Sequence, residues 1–548
     1  MTSMPPVQAP VPAPNGPKFS IVTPVYDPPE DVLREMIESV LAQSFTGWEF
    51  VLVDDCSPSQ HVLQVLREYS AADERIVVVE RDVNGGIVAA SNDGLAAARG
   101  EFVGLLDHDD TLVVDALRLV DMYATRYPEM DYCYSDEDLI DLAGRYVGPF
   151  YKPDWSPERL RGQNYCTHFS VFRATLLEQI GGFRTGFDGS QDYDIILRAT
   201  EAAREIVHIP FVLYHWRQIA TSVASGDLTV KPYAYDAGRR AVQDHCDRIG
   251  VDADVEIGER PGGYRCRRRP PDDARVSVVI VTAGASSRVW GVERLHVVET
   301  IQSVLERTTR APDSIDFVVV ADAATPEHVI ASIGRAVGHH DLQVIPAPPG
   351  IGRNTMIGMG VLAATGDFVL LLHDDVEIIT DDFIDELLGY AADDEVGAVG
   401  CLSLFSDGRI RHGGYVHNAN PNEIMQGFAS DTPGHRAMMT IPREVASVSD
   451  ACLMMRRSVY IDVGGLNQFL MKDFGDVDLG LKLRAGDLSR IWTPYVSVYD
   501  FGAVVDPAAP SPDRALLERR WGHQLREDPY FNPNLAPDRH DWVERGLR

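Results

Sequence analysis

The chain has 548 residues, a formal net charge of −32 and a hydrophobic fraction of 45%. This length predicts at least two domains, and the negative charge opposes binding to nucleic acid or to anionic lipid. No apolar run approaches the roughly 18 residues that a membrane span needs, and the N-terminus lacks the pattern of a secretory signal. We therefore expect a globular cytoplasmic chain with at most peripheral contact to the inner face of the cell membrane.

The segment from 18 to 255 alternates short apolar runs with helical patterns. The runs "FSIVTPVY", "WEFVLVDDCS", "RIVVVERD" and "EFVGLLDHDD" are typical of strands, and "DVLREMIESVLAQ" and "GGIVAASNDGLAAARG" are typical of helices. This alternation predicts an α/β fold with a doubly wound, mostly parallel sheet. Ligands bind at the carboxyl ends of such strands, which is where Asp54, Asp55, Asp107 and Asp109 fall.

The same order of patterns recurs from 276 to 505, where "VSVVIVTAG", "IDFVVVADAA" and "GDFVLLLHDDV" repeat the earlier strands. The spacing recurs as well: 54 positions separate Asp55 from Asp109, and 53 separate Asp322 from Asp375. Agreement in both order and spacing indicates an internal duplication. The predicted domains are a flexible tail (1–17), a first domain (18–255), a linker (256–275), a second domain (276–505) and a C-terminal helical tail (506–548).

Two features outside the repeat carry their own interpretations. The basic segment "RCRRRP" at 265–270 is typical of a solvated linker, with contact to lipid headgroups as the alternative. The segment "ALLERRWGHQL" near the C-terminus is interpreted as a packing helix, with membrane contact as the alternative. Seven cysteines are scattered without a C-x-x-C pair, which favours reduced thiols over a disulfide framework or a zinc site.

The acids after "EFVGLL" form the clearest candidate site. Asp107 and Asp109 are two residues apart, so on an extended chain their carboxylates point to one face. Two such carboxylates suit a hard divalent cation, Mg²⁺ or Mn²⁺, which would offset their mutual repulsion. The alternative is a helix N-cap, because "DDTLVVDALRLV" has the pattern of a helix start, and we expect Asp110 or Thr111 to cap it.

Other polar groups allow both functional and structural interpretations. In "VDDCS" the acids can accept hydrogen bonds from a ribose hydroxyl or a base, or can simply make a turn. Asp192 and Asp194 begin a helix, where the dipole stabilises acids, and either could serve as a general base. His215 follows an apolar strand and is a rim side chain or a third cation ligand. The chain has neither G-x-G-x-x-G after its first strand nor a P-loop.

Taken in order, "TPVYD", "VLVDDCS", "NGG", "LDHDD", "YKPDWSPERL", "GSQDYDIILR" and "YHWR" resemble the inverting nucleotide-sugar glycosyltransferases of family 2, with the GT-A fold. The resemblance implies a metal-dependent displacement at the anomeric carbon, with Asp192 as the catalytic base. It also assigns the remaining residues of the first domain. The nucleotide-sugar contacts are Thr23, Asp27, Asp54, Asp55, Asn84 and Asp107, and the Mn²⁺ or Mg²⁺ ligands are Asp107, Asp109 and His215.

The second half resembles the same family but departs from its pattern. His373 stands at the first D-x-D position, and Asp500 stands where the first half has His215. The residues that match the family's motifs are Asp322 and Asp374 for the nucleotide sugar, Asp375 for the metal and Asp476 as base. Nearby His412 is interpreted as structural. Tandem copies of this type resemble bacterial surface-polysaccharide enzymes, which implies a glycan or lipid-linked glycan acceptor.

Three hypotheses follow. The chain is a bifunctional transferase, or it has one active N-terminal site with a C-terminal copy that binds glycan or scaffolds a partner. A nucleotidyltransferase is the third, although "TPVYDPPED" lacks the Gly-rich basic loop that such an enzyme needs after its first strand. Donors carrying UDP, dTDP or GDP all remain open.

Overall fold

The computed structural model describes residues 16–218, 232–418, 420–504, 509–537 and 539–546. Most of the predicted N-terminal tail therefore lies outside the described residues. The chain divides into two compact units. The first contains residues 16–155, 163–251 and 255–264, and the second contains Ser156–Gly162, Asp252–Asp254 and the described residues from 265 onward.

The elements as far as residue 268 are as follows. The strands are β1 (Phe19–Val25), β2 (Trp48–Asp54), β3 (Ile76–Glu80), β4 (Phe102–Leu105), β5 (Thr111–Leu112), β6 (Met130–Ile140), β7 (Tyr146–Phe150), β8 (Val171–Arg173), β9 (Glu205–Arg217), β10 (Ala253–Ile257) and β11 (Tyr264–Arg268). The helices are α1 (Glu30–Leu41), α2 (Gln60–Ala72), α3 (Gly86–Ala97), α4 (Ala116–Arg126), α5 (Pro157–Gly162), α6 (Ala174–Ile180), α7 (Gln191–Ala202) and α8 (Pro232–Ile249).

The later elements belong to the second unit. The strands are β12 (Val276–Thr282), β13 (Ser286–Val289), β14 (Val292–Leu295), β15 (Ile315–Ala321), β16 (Asp341–Pro346), β17 (Phe368–His373), β18 (Val376–Ile378), β19 (Val396–Leu404), β20 (Ile410–His412), β21 (Tyr415–His417), β22 (Pro421–Glu423), β23 (Arg443–Glu444), β24 (Cys452–Arg456) and β25 (Ser489–Asp500). The α-helices are α9 (His296–Glu306), α10 (Glu327–Val337), α11 (Arg353–Ala363), α12 (Phe383–Ala391), α13 (Arg457–Asp462), α14 (Gly475–Ala485) and α15 (Pro512–Trp521). Short 3₁₀ turns occur at Pro312–Ser314, His435–Ala437 and Gln524–Arg526.

Each unit contains a large sheet, and the strands follow the same order in both. The order is β3-β2-β1-β4-β8-β6-β9-β5 in the first unit and β16-β15-β12-β17-β24-β19-β25-β18 in the second. The first four strands of each are parallel, and antiparallel pairs begin at β8 and at β24. Two tandem α/β domains built on one plan are thereby confirmed.

The parallel strands form the centre of each core because their sequences are apolar on both faces. In β1 six of the seven residues are buried, which is typical of a parallel strand covered by helices on both sides. Helix α1 has one buried apolar face, made by Leu33, Met36, Ile37 and Val40. This arrangement leaves the polar residues that follow the strands at one edge of the sheet.

The structure corrects the helix start predicted near Asp110. Thr111–Leu112 forms the short strand β5, which pairs with β9, and α4 begins only at Ala116. Neither Asp110 nor Thr111 therefore caps a helix. The β-branched Thr111 and the apolar Leu112 pair with a neighbouring strand, and this long-range contact outweighs the local helical pattern.

The segment expected to be a solvated linker at 256–275 contains part of β10 and all of β11. Arg268 is buried in the second unit, where it pairs with Glu158 and, at 3.1 Å, with Asp393. A buried arginine needs such partners because an unpaired buried charge is costly. Arg268 is thus part of the packed structure, whereas Arg267 and Arg269 of the same cluster are exposed.

The C-terminal helix packs within the second unit. Leu517 of α15 is buried against Leu470, Val477 and Leu481, which agrees with the interpretation as a packing helix. No described helix has the length and apolarity that crossing a bilayer requires. All seven cysteines are free, and only Cys56 is exposed.

Candidate active site

The strand-end acids of the first unit follow neighbouring strands. In the register of β1 with β2, Val25 lies beside Asp54, and the Leu106 N–H donates to the Val22 carbonyl on the other side of β1. Strands β2, β1 and β4 therefore end at one edge of the sheet, and Asp54, Asp55 and Asp107 follow there. The sequence correctly predicted this gathering.

Asp55 organises the loop before α3. Its carboxylate accepts hydrogen bonds from the Gly85 N–H (2.9 Å) and the Gly86 N–H (2.8 Å), and it also pairs with Arg81. Gly86 has φ +80°, which favours glycine. Asp55 thus fixes the turn that presents the exposed Asn84.

The other predicted nucleotide contacts lie at the ends of β1 and β2. Asp54 Oδ1 accepts the Ser57 N–H (3.2 Å), and Ser57 Oγ accepts the Asp27 N–H (3.1 Å). The turn interpretation of "VDDCS" is therefore correct for Asp54, which is buried. Thr23 is fully buried within β1, and its hydroxyl has no hydrogen-bond partner within the described residues.

The three acids after β4 differ in environment. Asp110 is fully buried and accepts hydrogen bonds from the Tyr214 hydroxyl and the Arg217 N–H (2.7 Å). Burial and the neighbouring Asp109 and Asp107 raise the pKa of Asp110 well above its usual value. By contrast, the Asp107 side chain is 48% exposed. Asp110 therefore supports the loop, and Asp107 is open to a ligand.

Asp109 is held close to its like-charged neighbour. Burial and the charge of Asp107 raise its pKa, although His108 and Arg217 oppose the shift. A raised pKa means that the ionised form is destabilised in the absence of a compensating charge. A cation beside Asp107 and Asp109 would relieve this cost.

His168 is a residue of this site that the sequence did not suggest. Its Nε2 lies 4.0 Å from Asp107 Oδ2, and its Nδ1 lies 3.3 Å from Glu137 Oε2. Burial opposes its positive charge, but Glu137, Asp107 and Asp110 outweigh burial and raise the pKa of His168 to about 9. His168 therefore places a positive charge beside the exposed acid.

Asp192 and Asp194 differ in their contacts, and these contacts separate the structural role from that of the candidate base. Asp194 is buried and pairs with Arg184 and with Arg198 (2.8 Å), so it fastens α7 to its surroundings. Asp192, in the first turn of α7, accepts a hydrogen bond from Asn164 Nδ2 at 3.2 Å. Burial and the charge of Asp107 raise the pKa of Asp192, whereas His168 lowers it. Asp192 is thus the carboxylate that is available for proton transfer.

His215 lies beside the acid loop, paired in register with Thr111. Its Nδ1 contacts Asp138, and its ring stacks on Tyr146 at 4.0 Å between centroids. A carboxylate on one ring nitrogen fixes the orientation of the other, as is common for metal-bound histidines. Even so, no group of three or more His, Cys, Asp or Glu side chains gathers as a metal site anywhere in the described ranges, so His215 does not complete one with Asp107 and Asp109.

At the equivalent edge of the second unit, a histidine stands in place of the first acid. By register, Phe102 pairs with Arg173 and Phe368 with Arg456, so His373 occupies the place of Asp107. His373 Nε2 lies 2.8 Å from Asp450 Oδ1. An imidazole now ends the strand equivalent to β4, and its carboxylate partner Asp450 precedes β24 by two residues.

Asp450 also binds Arg353, whose Nη1 lies 2.6 Å from its Oδ2. Burial opposes ionisation of Asp450, but Arg353 and His373 together hold its pKa well below the usual value. The arrangement His373–Asp450–Arg353 was not suggested by the sequence, because its members lie far apart along the chain.

Two predicted acids of the second unit adjoin this group. Asp374 Oδ2 accepts a hydrogen bond from the Thr282 hydroxyl (2.5 Å), and burial raises its pKa. Asp375 Oδ1 lies 3.9 Å from His373 Nδ1. Asp322, at the end of β15, accepts the Ala324 N–H (2.8 Å) and makes a turn.

Asp476 parallels Asp192. The Tyr415 hydroxyl donates to Asp476 Oδ2 (3.1 Å), and burial together with Asp450 raises the pKa of Asp476 to about 7. Asp478, two residues on, pairs with Lys482 (3.1 Å) and accepts the Trp521 indole N–H (2.7 Å). The second unit thus repeats the pattern of the first: Asp476, like Asp192, has no ion pair within the described residues, and Asp478, like Asp194, is held by one.

The remaining predicted residues of the second unit have structural contacts. Asp500, at the place of His215, pairs with Arg411 (2.8 Å). His412 is buried, and its Nδ1 accepts the Gly414 N–H (3.0 Å). Burial and the nearby Arg411 lower the pKa of His412 to about 3, which agrees with a neutral structural role.

Comparison with known proteins identifies the class. Residues 20–181 match the family model "Glycosyl transferase family 2", and residues 271–521 match "Glycosyltransferase like family 2". The chain is 30% identical over 217 residues to the putative colanic acid biosynthesis glycosyl transferase WcaA of Escherichia coli K12, covering 36% of this chain and 74% of that protein. The chain therefore belongs to glycosyl transferase family 2. Its two α/β units each contain a segment that matches a family 2 model.

Two longer relatives match almost the whole chain. The uncharacterized protein y4gI of Sinorhizobium fredii is 36% identical over 547 residues, covering 96% of this chain and 59% of the relative. The O-antigen biosynthesis protein RfbC of Myxococcus xanthus is 34% identical over 535 residues, covering 95% of this chain and 40% of the relative. The chain thus spans about half the length of these two proteins.

Proposed function

We propose that the first unit is a metal-dependent inverting glycosyltransferase, which moves a sugar from a nucleoside-diphosphate donor to a hydroxyl of a growing bacterial cell-surface glycan. One observation carries this proposal: the exposed acid Asp107 and the candidate base Asp192, which has no ion pair within the described residues, belong to the same site. Burial and the charge of Asp107 both raise the pKa of Asp192.

The residues at the edge of the sheet fit a divalent cation. The Asp107 side chain is half exposed, and burial together with the charge of Asp107 disfavours the ionised form of Asp109. Mg²⁺ and Mn²⁺ bind through one or two carboxylates and complete their shells with water and substrate phosphates, so they do not need a closed protein cage. We propose Asp107 and Asp109 as the protein ligands, with water and the phosphate oxygens of the donor completing the shell.

The chain's own residues then define the reaction. Asp192 accepts the proton of the acceptor hydroxyl as the hydroxyl oxygen attacks the anomeric carbon, and the bond to the diphosphate oxygen breaks in the same displacement. The raised pKa of Asp192 makes it a stronger base than an ordinary aspartate. A bound cation would supply charge stabilisation to the departing diphosphate. His168, 4.0 Å from Asp107, adds a fixed positive charge at this edge.

The acceptor is inferred from the relatives. The names of RfbC and WcaA place those proteins in the biosynthesis of O-antigen and of colanic acid. We propose for this chain a glycan or lipid-linked glycan acceptor, with peripheral contact to the membrane that carries it. The donor contacts would be Thr23, Asp27, Asp54, Asp55, Asn84 and Asp107.

The second unit supports two candidates. The free Asp476 favours a second transfer, with Asp322 and Asp374 as donor contacts and Asp375 as metal ligand. The replacement of the first D-x-D acid by His373, which is held on Asp450, favours a binding module instead.

A donor panel tests both. UDP-, dTDP- and GDP-sugars are incubated with acceptor glycan and Mn²⁺, and nucleotide release and product linkage are measured for the wild type, Asp192→Asn and Asp476→Asn. Loss of transfer in Asp192→Asn supports the proposal, and full transfer in that variant contradicts it. If Asp476→Asn leaves every product linkage intact, the second unit is a binding module.

A further inference from the structure

The second unit has an arginine at a position where the first unit has an apolar residue. Gly94 and Gly360 occupy equivalent places, because a Cβ on either would meet the matching valines of the first two strands, at 2.4 Å and 2.5 Å. Arg353 precedes Gly360 by seven residues, as Ile87 precedes Gly94. The second unit therefore has a positively charged side chain at the first residue of α11.

The position formerly held by the D-x-D acid has changed in the same unit. His373 replaces that acid and is engaged with Asp450, while Asp374 accepts a hydrogen bond from the Thr282 hydroxyl. An imidazole bound to a carboxylate and an acid bound to a hydroxyl do not form the paired oxygen ligands that Mg²⁺ or Mn²⁺ prefers. The two D-x-D positions of the second unit thus supply one carboxylate, Asp375, where the first unit supplies two, Asp107 and Asp109.

Arg353 brings a positive charge to this acidic edge of the second unit. Its guanidinium contacts Asp450 at 2.6 Å, and its charge is favoured by Asp450, Asp476 and Asp374. The side chain remains 31% exposed, so it is open to an incoming anion. It also begins α11, an 11-residue helix, and the free N–H groups of a helix N-terminus favour phosphate oxygens.

We propose that the second unit binds the diphosphate of a nucleotide or nucleotide sugar through Arg353, without a divalent cation. A guanidinium donates two parallel hydrogen bonds to phosphate oxygens and keeps its charge at all working pH values. This inference rests on the proposed function of the family 2 fold, but it concerns binding and is independent of which unit transfers sugar.

The test measures binding of inorganic pyrophosphate to the full chain by calorimetry in excess EDTA. One site per chain is expected in the wild type. Arg353→Met should weaken its affinity at least tenfold, and Arg353→Lys, which retains the charge but not the paired donors, should restore only part of it. Because Arg353→Met leaves Asp450 with one partner fewer, the double variant Arg353→Met with Asp450→Asn is measured as well, and its thermal unfolding verifies the fold.

Counting Mn²⁺ by electron paramagnetic resonance, with pyrophosphate present, provides the second arm. One Mn²⁺ per chain is expected, lost in Asp107→Asn and retained in Asp375→Asn. The proposal is overturned if a folded wild-type chain binds no pyrophosphate in EDTA, if Arg353→Met binds as the wild type does, or if Asp375→Asn loses a second Mn²⁺. None of these readouts requires turnover, so failure here leaves the transfer assay of Asp192→Asn to be judged by itself.

Discussion

Asp192 and Asp194 lie two residues apart in the first turn of α7, yet only Asp194 is neutralised by arginines. The arginine pairs make Asp194 a structural anchor, because breaking a buried pair leaves an uncompensated charge. Asp192 has the hydrogen bond from Asn164 and a raised pKa. The same helix turn therefore holds a buried, paired acid and the acid that we propose as the base.

Asparagine at these two positions should separate the roles. We expect Asp192→Asn to lower the rate of sugar transfer by about 10²- to 10⁴-fold, the range for loss of a general base, with little change in the melting temperature. Asp194→Asn should cost about 3 kcal/mol of unfolding free energy. Steady-state kinetics and thermal unfolding measure the two effects. A strongly destabilised Asp192→Asn would argue against its assignment as base.

The duplicated packing of a helix on the first two strands gives a second prediction. A Cβ at Gly94 would lie 2.4 Å from Val22 Cγ1, and one at Gly360 would lie 2.5 Å from Val279 Cγ1. Each Gly→Ala variant should lose about 1–3 kcal/mol through overpacking, measured by denaturant unfolding. Gly334→Ala, in α10 with open space around its Cβ, is the control and should gain about 1 kcal/mol. Equal effects at all three positions would contradict this account.

The sequence could predict the strand-end acids because each follows a local pattern, an apolar run that ends in carboxylates. It could not predict His168 or Arg353. Their partners Glu137 and Asp450 lie 31 and 97 positions away, and the register of distant strands brings them together. The duplication was visible because order and spacing repeat, but the pairing of His373 with Asp450, 77 positions away, has no local signal.

The buried pair beneath the acid loop gives a third prediction. Lys152 is fully buried, and its Nζ lies 3.0 Å from Glu137 Oε2 and 2.7 Å from the His168 carbonyl. Lys152→Met should destabilise the first unit by about 3 kcal/mol, because the buried Glu137 would lose its ion-pair partner. Chemical denaturation of the full chain measures this loss.

A double variant and an exposed pair serve as controls for Lys152. Adding Glu137→Gln to Lys152→Met should recover part of the stability, because the unpaired charge is removed. Lys18→Met, which breaks the half-exposed pair with Asp121, should cost less than about 1 kcal/mol. If the double variant is less stable than Lys152→Met, the ion pair is not the source of the effect.

The fourth prediction concerns pH and Glu423 at the edge of the second unit's site. Burial raises the pKa of Glu423 from 4.5 to about 8, with Asp476 and Asp500 adding to the shift and Arg411 opposing it. A carboxyl whose folded pKa is raised favours folding while it is protonated, so its contribution is full below pH 4.5 and is lost as the pH rises towards 8. Glu423→Gln removes this loss. At pH 8 its melting temperature should exceed that of the wild type, with a gain in unfolding free energy on the order of a few kcal/mol. At pH 4.5 the two melting temperatures should not differ in this way. Calorimetric scans at the two pH values measure the difference, with the exposed Glu293→Gln as control. A constant difference at both pH values would show that titration of Glu423 is not its cause.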